Sequence, residues 1–242
     1  MDIFRLVGTF ARTTAAKSNW HTFDVRLGAT MASTKPKYRL TYFTFTGLAE
    51  PTRLLFAYGG IEYEDVRISQ ADWPKFKKSM PIHLMPVLEI DGKIIHQSLA
   101  MARYVAKQVG LTGDNDLEAC EIDMKVDTLN DYRLKILEGS SEADPVRKAR
   151  LKEKLDKETL PFLLGKLDTW VKESNGYFAN NKLSWADLYF FAISGFLDVY
   201  HGRELLPGYP NLQALRETVS KIPAIKAWVE KRPPDNYTPY AW

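Results

Sequence analysis

Cysteine occurs once in 242 residues, at Cys120. One thiol excludes an internal disulfide and a cysteine metal cluster, and it points to a reducing compartment. No run approaches the roughly 18 unbroken apolar residues that a membrane span needs; YFFAISGF (189–196) is too short and reads as a buried helix. The four histidines, His21, His83, His96 and His201, show neither HxxxH nor HExxH spacing, so no metal site is expected. Net charge is only +3, with no long Lys/Arg run. Basic and acidic residues interleave instead, as in RKARLKEKLDKET (147–159), which suits a solvated helix face and not nucleic acid.

What remains is an ordinary globular composition, 45% hydrophobic and 26% charged, long enough for a substantial core. Residues 1–36 stand apart: they are rich in Ser, Thr and Ala and show no sustained period. They read as an N-terminal extension, disordered, with Met31-Ala32 as an alternative start. Their Arg-rich, acid-poor character leaves a mitochondrial presequence as the second reading beside a cytoplasmic location, and a secretory signal is disfavoured because no long apolar stretch follows the basic residues.

From residue 37 the pattern changes. YRLTYF (38–43) has strand spacing, and GLAEPTRLLFAYGG (47–60) is a helix with Pro51 in its first turn and a Gly-Gly stop. IEYEDVRI (61–68) alternates as a second strand, so the unit β-α-β implies a parallel pair. PVLEI (86–90) and KIIH (93–96) flank Asp91-Gly92, a type I′ hairpin signature, and a helix follows over 97–108. Residues 114–242 carry helical periodicity over 115–138, 147–173, 185–200, 211–221 and 223–231, and no strand pattern. The predicted architecture is a thioredoxin-like α/β domain over 37–113 followed by an all-α domain over 114–242, with the boundary near Thr112-Gly113-Asp114.

A thioredoxin-like layout that runs redox chemistry carries a thiol just after the first strand. Here that position reads Thr44-Phe45-Thr46-Gly47, without cysteine, so disulfide exchange is excluded. Cys120 lies elsewhere, between Glu118 and Glu121, and reads as an inert structural residue. A domain without its own nucleophile can use a thiol that arrives with a substrate. Such a site needs a donor beside the sulfur, backbone groups for a peptide and a place for an anion.

The runs YRLTYFTFTGLAEPTRLL (38–55), DWPKFK (72–77), MPVLEIDGKIIHQSLAMARYVA (85–106), VDTLNDY (126–132) and LSWADLYF (183–190) closely resemble sigma-class glutathione transferases, arthropod members above all. The glutathione-dependent prostaglandin D synthases are a related branch. The resemblance covers about 37–234 and keeps motif order and spacing. It implies an enzyme that joins the glutathione thiolate to hydrophobic electrophiles, lipid-peroxidation aldehydes among them, with glutathione as co-substrate, no metal, and a homodimer as the working unit. Isomerisation of prostaglandin H2 and a low-activity structural role, as in some relatives, are the alternatives.

By residue, the resemblance makes Tyr42 the catalytic tyrosine, whose hydroxyl donates to the thiolate; taken alone, Tyr42 is a strand tyrosine packed in a core. Gln97 and Ser98 take the γ-glutamyl end, where Ser98 alone would read as a helix N-cap. Met85-Pro86 is the family's cis-proline turn, pairing with the peptide backbone. Trp73 and Lys77, four apart, meet the glycyl end; alone they are a packed tryptophan beside a surface lysine. Phe43 and Leu84 adjoin the bound peptide, and Asp131 reaches across a dimer to the partner's glutathione. Phe45, Gly47, Met124 and Tyr132 are the expected electrophile pocket.

Three departures from the family pattern bear on this. Some members hold a divalent cation with three aspartates where this chain has Asp127, Asn130 and Asp131, and hard cations prefer carboxylates. Leu84 and Leu48 replace a lysine and an arginine found in the prostaglandin synthases, which weakens the case for prostaglandin isomerisation; the loss at Leu48 also predicts that Tyr42 lacks that cationic help and relies on local hydrogen bonds and the helix N-terminus after it. Ser184-Trp185-Ala186-Asp187, by contrast, is a structural S-x-x-D helix start, with Leu183 and Leu188 placed as a staple.

Overall fold

The computed structural model describes residues 35–235; the extension expected over 1–36 lies, except for its last two residues, outside them. Strand β1 (Tyr38–Phe43) buries Tyr38, Leu40, Tyr42 and Phe43. It is followed by a 3₁₀ turn (Gly47–Ala49) and helix α1 (Glu50–Tyr58), which starts at Pro51 in its first turn and stops at Gly59-Gly60, where Gly60 has φ +58°. Strand β2 (Glu64–Ile68) runs parallel to β1, pairing Arg39 with Glu64 through Phe43 with Ile68. A short helix, α2 (Trp73–Phe76), and two 3₁₀ turns (Lys77–Ser79, Pro81–His83) lead to a cis Met85-Pro86 bond.

Strands β3 (Val87–Ile90) and β4 (Lys93–His96) form the antiparallel hairpin. Its turn residues Asp91 and Gly92 have φ of 48° and 85°, the left-handed pair that the Asp-Gly signature requires. The sheet order is β2-β1-β3-β4, a mixed sheet, and α3 (Ser98–Gln108) completes the thioredoxin-like half.

The second half is helical: α4 (Asp116–Ser141), α5 (Pro145–Lys154), α6 (Leu160–Glu173), α7 (Trp185–His201), α8 (Pro210–Ser220) and α9 (Pro223–Lys231). The single helix expected over 147–173 is interrupted by a π-helical stretch, Leu155–Thr159, ahead of Pro161. Proline has no N–H to give to the helix ladder, so it sits where a helix begins afresh. Among the described residues no helix is long and apolar enough to cross a membrane.

Helix α7 is the central pillar. Trp185, Ala186, Leu188 and Phe190 are fully or almost fully buried, and α7 packs against both α4 and α1. Its start is fixed by the fully buried Asp187. That carboxylate accepts from the Ser184 N–H (2.7 Å), the Ser184 hydroxyl (3.0 Å) and the Phe178 N–H (2.9 Å). Burial outweighs these donors and pushes the carboxyl up to about 6.

A second buried polar group joins the halves. Glu50, at the start of α1, accepts from Trp228 Nε1 on α9 at 2.9 Å and from Arg232 at 2.6 Å. It also faces Arg53 at 3.5 Å, and both side chains of that pair are fully buried.

Replacing Asp187 with alanine orphans three buried donors. Urea denaturation should show a loss of about 3 kcal/mol, since each buried donor left unpaired costs about 1–3 kcal/mol.

Candidate functional site

Strand register brings the candidate residues to one end of the sheet. Thr41 pairs with Val87, and Val87 pairs with His96. One step further on each strand lie Tyr42 on β1, the cis Pro86 ahead of β3, and Gln97 after β4. These three segments are far apart in sequence and adjacent only because β1 and β4 flank β3.

Tyr42 is 4% exposed, and its ring packs edge-on against Phe43 (5.4 Å) and Phe45 (5.5 Å). Phe43 meets Trp73 of α2 at 5.6 Å. The phenolic oxygen accepts the Leu48 N–H at 3.2 Å. Gly47 lies hard against it: a Cβ there would sit 2.7 Å from the hydroxyl and 2.8 Å from the Phe45 ring, and φ is +42°. Glycine is therefore required twice over, by conformation and by space.

Burial pushes the Tyr42 hydroxyl up to about 12, with the Leu48 N–H, Arg53 and Arg133 opposing that rise and Asp235 adding to it. The group is a neutral O–H donor near neutral pH, not a base. Accepting the Leu48 N–H polarises the O–H further.

The expectation that Tyr42 lacks cationic help is corrected by the structure. The Arg53 guanidinium lies 5.9 Å from the Tyr42 ring centroid, and the charge of Arg133 on α4 acts on the hydroxyl from the helical half. Leu48 replaces one arginine position only.

The loop after β1 is held by arginine at every carbonyl. Arg53 donates to the carbonyl oxygens of Phe43 (3.4 Å), Phe45 (3.0 Å) and Thr46 (3.4 Å). Arg67 on β2 donates to Thr44 O at 2.9 Å. Asp65 bridges the two guanidiniums, at 3.2 Å from Arg53 and 2.8 Å from Arg67. None of these loop anchors was singled out in the sequence. The one legible signal was Glu50 and Arg53 at i, i+3 inside an otherwise apolar helix, a spacing at which a buried charge finds its partner.

Gln97 occupies the N-cap of α3 with φ 74° and ψ 108°, and Ser98 is the first helical residue. The reading of Ser98 as N-cap is thus off by one, and neither side chain caps the helix. A glutamine held at positive φ is a strained backbone position, of the kind that clusters at ligand clamps. The Gln97 side chain is exposed and Ser98 is half-buried, both at a helix N-terminus that favours anions.

Lys77 follows α2, and its N–H donates to Trp73 O, one turn back; Lys77 is exposed and Trp73 half-buried. Met85 is half-buried, Pro86 is buried and Leu84 is 58% exposed. Asp131 is exposed on α4.

Of the expected electrophile-pocket residues, Gly47 abuts Tyr42, whereas Phe45 and Tyr132 are each 2% exposed. Phe45 stacks on Phe43 at 5.3 Å, and burial raises the Tyr132 hydroxyl, with Asp198 and Tyr209 in its surroundings. Met124 is 51% exposed on α4. Cys120, read as a structural residue, is exposed on the same helix.

Asn130 is engaged within the fold. Its carbonyl oxygen accepts from Arg133 (3.0 Å) and from the Tyr189 hydroxyl (3.3 Å). Among the described residues no three His, Cys, Asp or Glu side chains come together as a metal site.

A thioredoxin-like domain with a four-stranded mixed sheet, followed by a helical domain, is the architecture of the glutathione transferases. The comparisons agree. The family model described as "Glutathione S-transferase, N-terminal domain" matches residues 38–107, and "Glutathione S-transferase, C-terminal domain" matches 130–232. The chain belongs to the glutathione S-transferase family, and it is a sigma-class-like member.

It is 48% identical to Glutathione S-transferase S1 of Drosophila melanogaster over 199 residues, covering 82% of this chain and 80% of that one. It is 43% identical over 198 residues to hematopoietic prostaglandin D synthase of Rattus norvegicus, covering 82% and 98%. The solved structure of prostaglandin synthase D from Nilaparvata lugens aligns with a TM-score of 0.79 at 43% identity, covering 82% of this chain and all of that one. The protein is accordingly a glutathione transferase that uses glutathione as co-substrate.

The tight approach at Gly47 gives a direct test of site geometry. Gly47→Ala displaces the Tyr42 hydroxyl or the Phe45 ring, and kcat/KM for glutathione conjugation should fall by about 10-fold or more. Far-ultraviolet circular dichroism should be unchanged.

Proposed function

We propose that the protein conjugates glutathione to hydrophobic electrophiles, with the Tyr42 hydroxyl donating a hydrogen bond to the glutathione thiolate. The observation that carries this reading is the state of Tyr42: buried, neutral, polarised by the Leu48 N–H, and at the same sheet end as Pro86 and Gln97. A free thiol with a pKa near 8.5 is only a few per cent ionised at pH 7. Lowering that value by about two units takes about 2.7 kcal/mol, within reach of one charge-assisted hydrogen bond aided by nearby cations.

The tripeptide spans the sheet end. Its γ-glutamyl group meets Gln97 and Ser98, its backbone pairs with Met85 ahead of Pro86, and its glycyl carboxylate meets Lys77 beside Trp73. Phe43 and Leu84 flank it. The positive φ at Gln97, the strand register that sets Pro86 between Tyr42 and Gln97, and the exposure of Lys77 support this placement.

On binding, the thiol proton passes to solvent. The thiolate sulfur then forms a bond to the electrophilic carbon. With an aryl halide the carbon–halogen bond breaks and halide leaves; with an unsaturated aldehyde the electron pair moves onto the carbonyl oxygen and a proton is taken back at carbon. Lipid-peroxidation aldehydes are the substrate class of this reading; of the candidate pocket residues Gly47 abuts the Tyr42 hydroxyl and Met124 is exposed on α4, while Phe45 and Tyr132 are buried. A homodimer in which Asp131 faces the partner's site is part of the same reading, favoured by exposed apolar side chains such as Ile94 and Leu134. Sedimentation should then give twice the chain mass.

A second reading, isomerisation of prostaglandin H2, is favoured by relatives named as hematopoietic prostaglandin D synthases at 40–46% identity. Mass analysis of products from the endoperoxide separates it from conjugation.

Tyr42→Phe removes only the hydroxyl. Steady-state conjugation should fall by about 10- to 100-fold, the worth of a hydrogen bond to a charged group, while glutathione KM changes less than about threefold. Wild-type turnover in that variant rejects the role of Tyr42.

A further inference from the structure

Thr46 immediately precedes the two residues that flank the Tyr42 hydroxyl. Its chain neighbour Gly47 presses on the Tyr42 hydroxyl, and the next residue, Leu48, donates to it. From the interior Arg53 and Arg67 hold the loop through its carbonyls. The donors of Thr46 go elsewhere. Its backbone N–H donates to Asp235 Oδ1 at 2.9 Å, and its hydroxyl donates to Asp235 Oδ2 at 2.5 Å.

This is a two-point clamp between positions 189 residues apart in the chain. A threonine before a helical turn ordinarily turns its hydroxyl toward the N–H groups that follow. Here Thr46 makes no such cap, and its hydroxyl is committed to the carboxylate. Thr46 is 7% exposed while Asp235 is exposed, so the clamp is buried on the loop side and open to water on the carboxylate side. Asp235 follows α9 and Arg232, and Arg232 is itself bonded to buried Glu50. The segment after α9 is thus tied to the base of α1 at one point and to the loop before it at the next.

We propose that Asp235 is a positioning residue for thiol activation: by clamping Thr46 it fixes Gly47 and the Leu48 N–H against the Tyr42 hydroxyl. The clamp acts on the reaction through Tyr42, and so rests on the function proposed for that residue. The charged groups acting on the hydroxyl are Arg53 from α1, Arg133 from α4 and Asp235 from the segment after α9. Asp235 is the one anion among them, so its charge disfavours a thiolate at the site while its geometry serves the donor. The two contributions can be separated by substitution.

The test uses the full-length chain with chlorodinitrobenzene as electrophile and compares Asp235→Ala, Asp235→Asn and Thr46→Val. Asp235→Ala and Thr46→Val should each lower kcat by about 3- to 10-fold, the scale of a small displacement in a preorganised site, with glutathione KM changed less than about twofold. Asp235→Asn keeps an acceptor for the Thr46 N–H and can donate to the hydroxyl. It should recover most of kcat and move the acid limb of the kcat/KM–pH profile to lower pH, because an anion near the thiolate is gone. In a Tyr42→Phe background the effect of Asp235→Ala should shrink toward none, since coupled residues are not additive.

Wild-type kcat and pH profile in all three variants overturn the proposal. So does a loss confined to the melting temperature, or an Asp235→Ala effect of the same size with and without the Tyr42 hydroxyl. Full activity of Tyr42→Phe alone instead marks failure of the Tyr42 reading, and a fall in that variant beside unaffected Asp235 variants marks failure of the clamp alone.

Discussion

The structure turns on one buried guanidinium. Arg53 is fully buried on α1, and charge in such a place is tolerated only when its donors are all engaged. Its partners are three carbonyls of the loop after β1, the carboxylate of Asp65 on β2, and Glu50. Glu50 in turn holds Trp228 and Arg232 from the far end of the chain. Sheet, the loop after β1, helix α1 and the end of helix α9 thus meet at a single ion pair. Removing one member of such a network leaves the other charge buried and unpaired, which is why its parts are not independent.

The consequence for chemistry is a loop with little freedom. Redox proteins of this layout place a thiol at this loop; this chain places a tyrosine one step earlier and holds the following carbonyls with arginine. In the proposed function the hydroxyl meets a substrate's sulfur at hydrogen-bond distance, and such rigidity serves it, because misplacement by a fraction of an ångström is costly. The electrostatics are mixed by design of the fold: Arg53 and Arg133 favour negative charge near Tyr42, burial and Asp235 oppose it. The hydroxyl therefore remains a neutral donor across the physiological range.

Much of the fold was legible because local signals agreed with one another. Alternation in YRLTYF, Pro51 ahead of a Gly-Gly stop, Asp91-Gly92 between two short strands and Ser184 three residues before Asp187 are each short-range codes with a physical cause. The π-helical break at Leu155–Thr159 was missed, since its cause, Pro161, lies beyond the break in a strongly helical charge pattern. The site was legible only in part. Tyr42, Gln97 and Met85-Pro86 came from resemblance, and strand register explains their juxtaposition. Arg133 and Asp235 carry no local signal, because their influence on Tyr42 exists only once α4 and the segment after α9 have packed near it. Leu48 misled: the loss of one arginine in sequence said nothing of the cations that tertiary structure supplies.

In the proposed function Tyr42 lowers the pKa of bound glutathione. Ultraviolet difference titration of the enzyme–glutathione complex measures this without an electrophile, by following thiolate absorbance against pH. The account predicts a bound-thiol pKa about two units below the free value of ~8.5 in the native protein, returning most of the way in Tyr42→Phe. Equal bound-thiol values in the two proteins would contradict it.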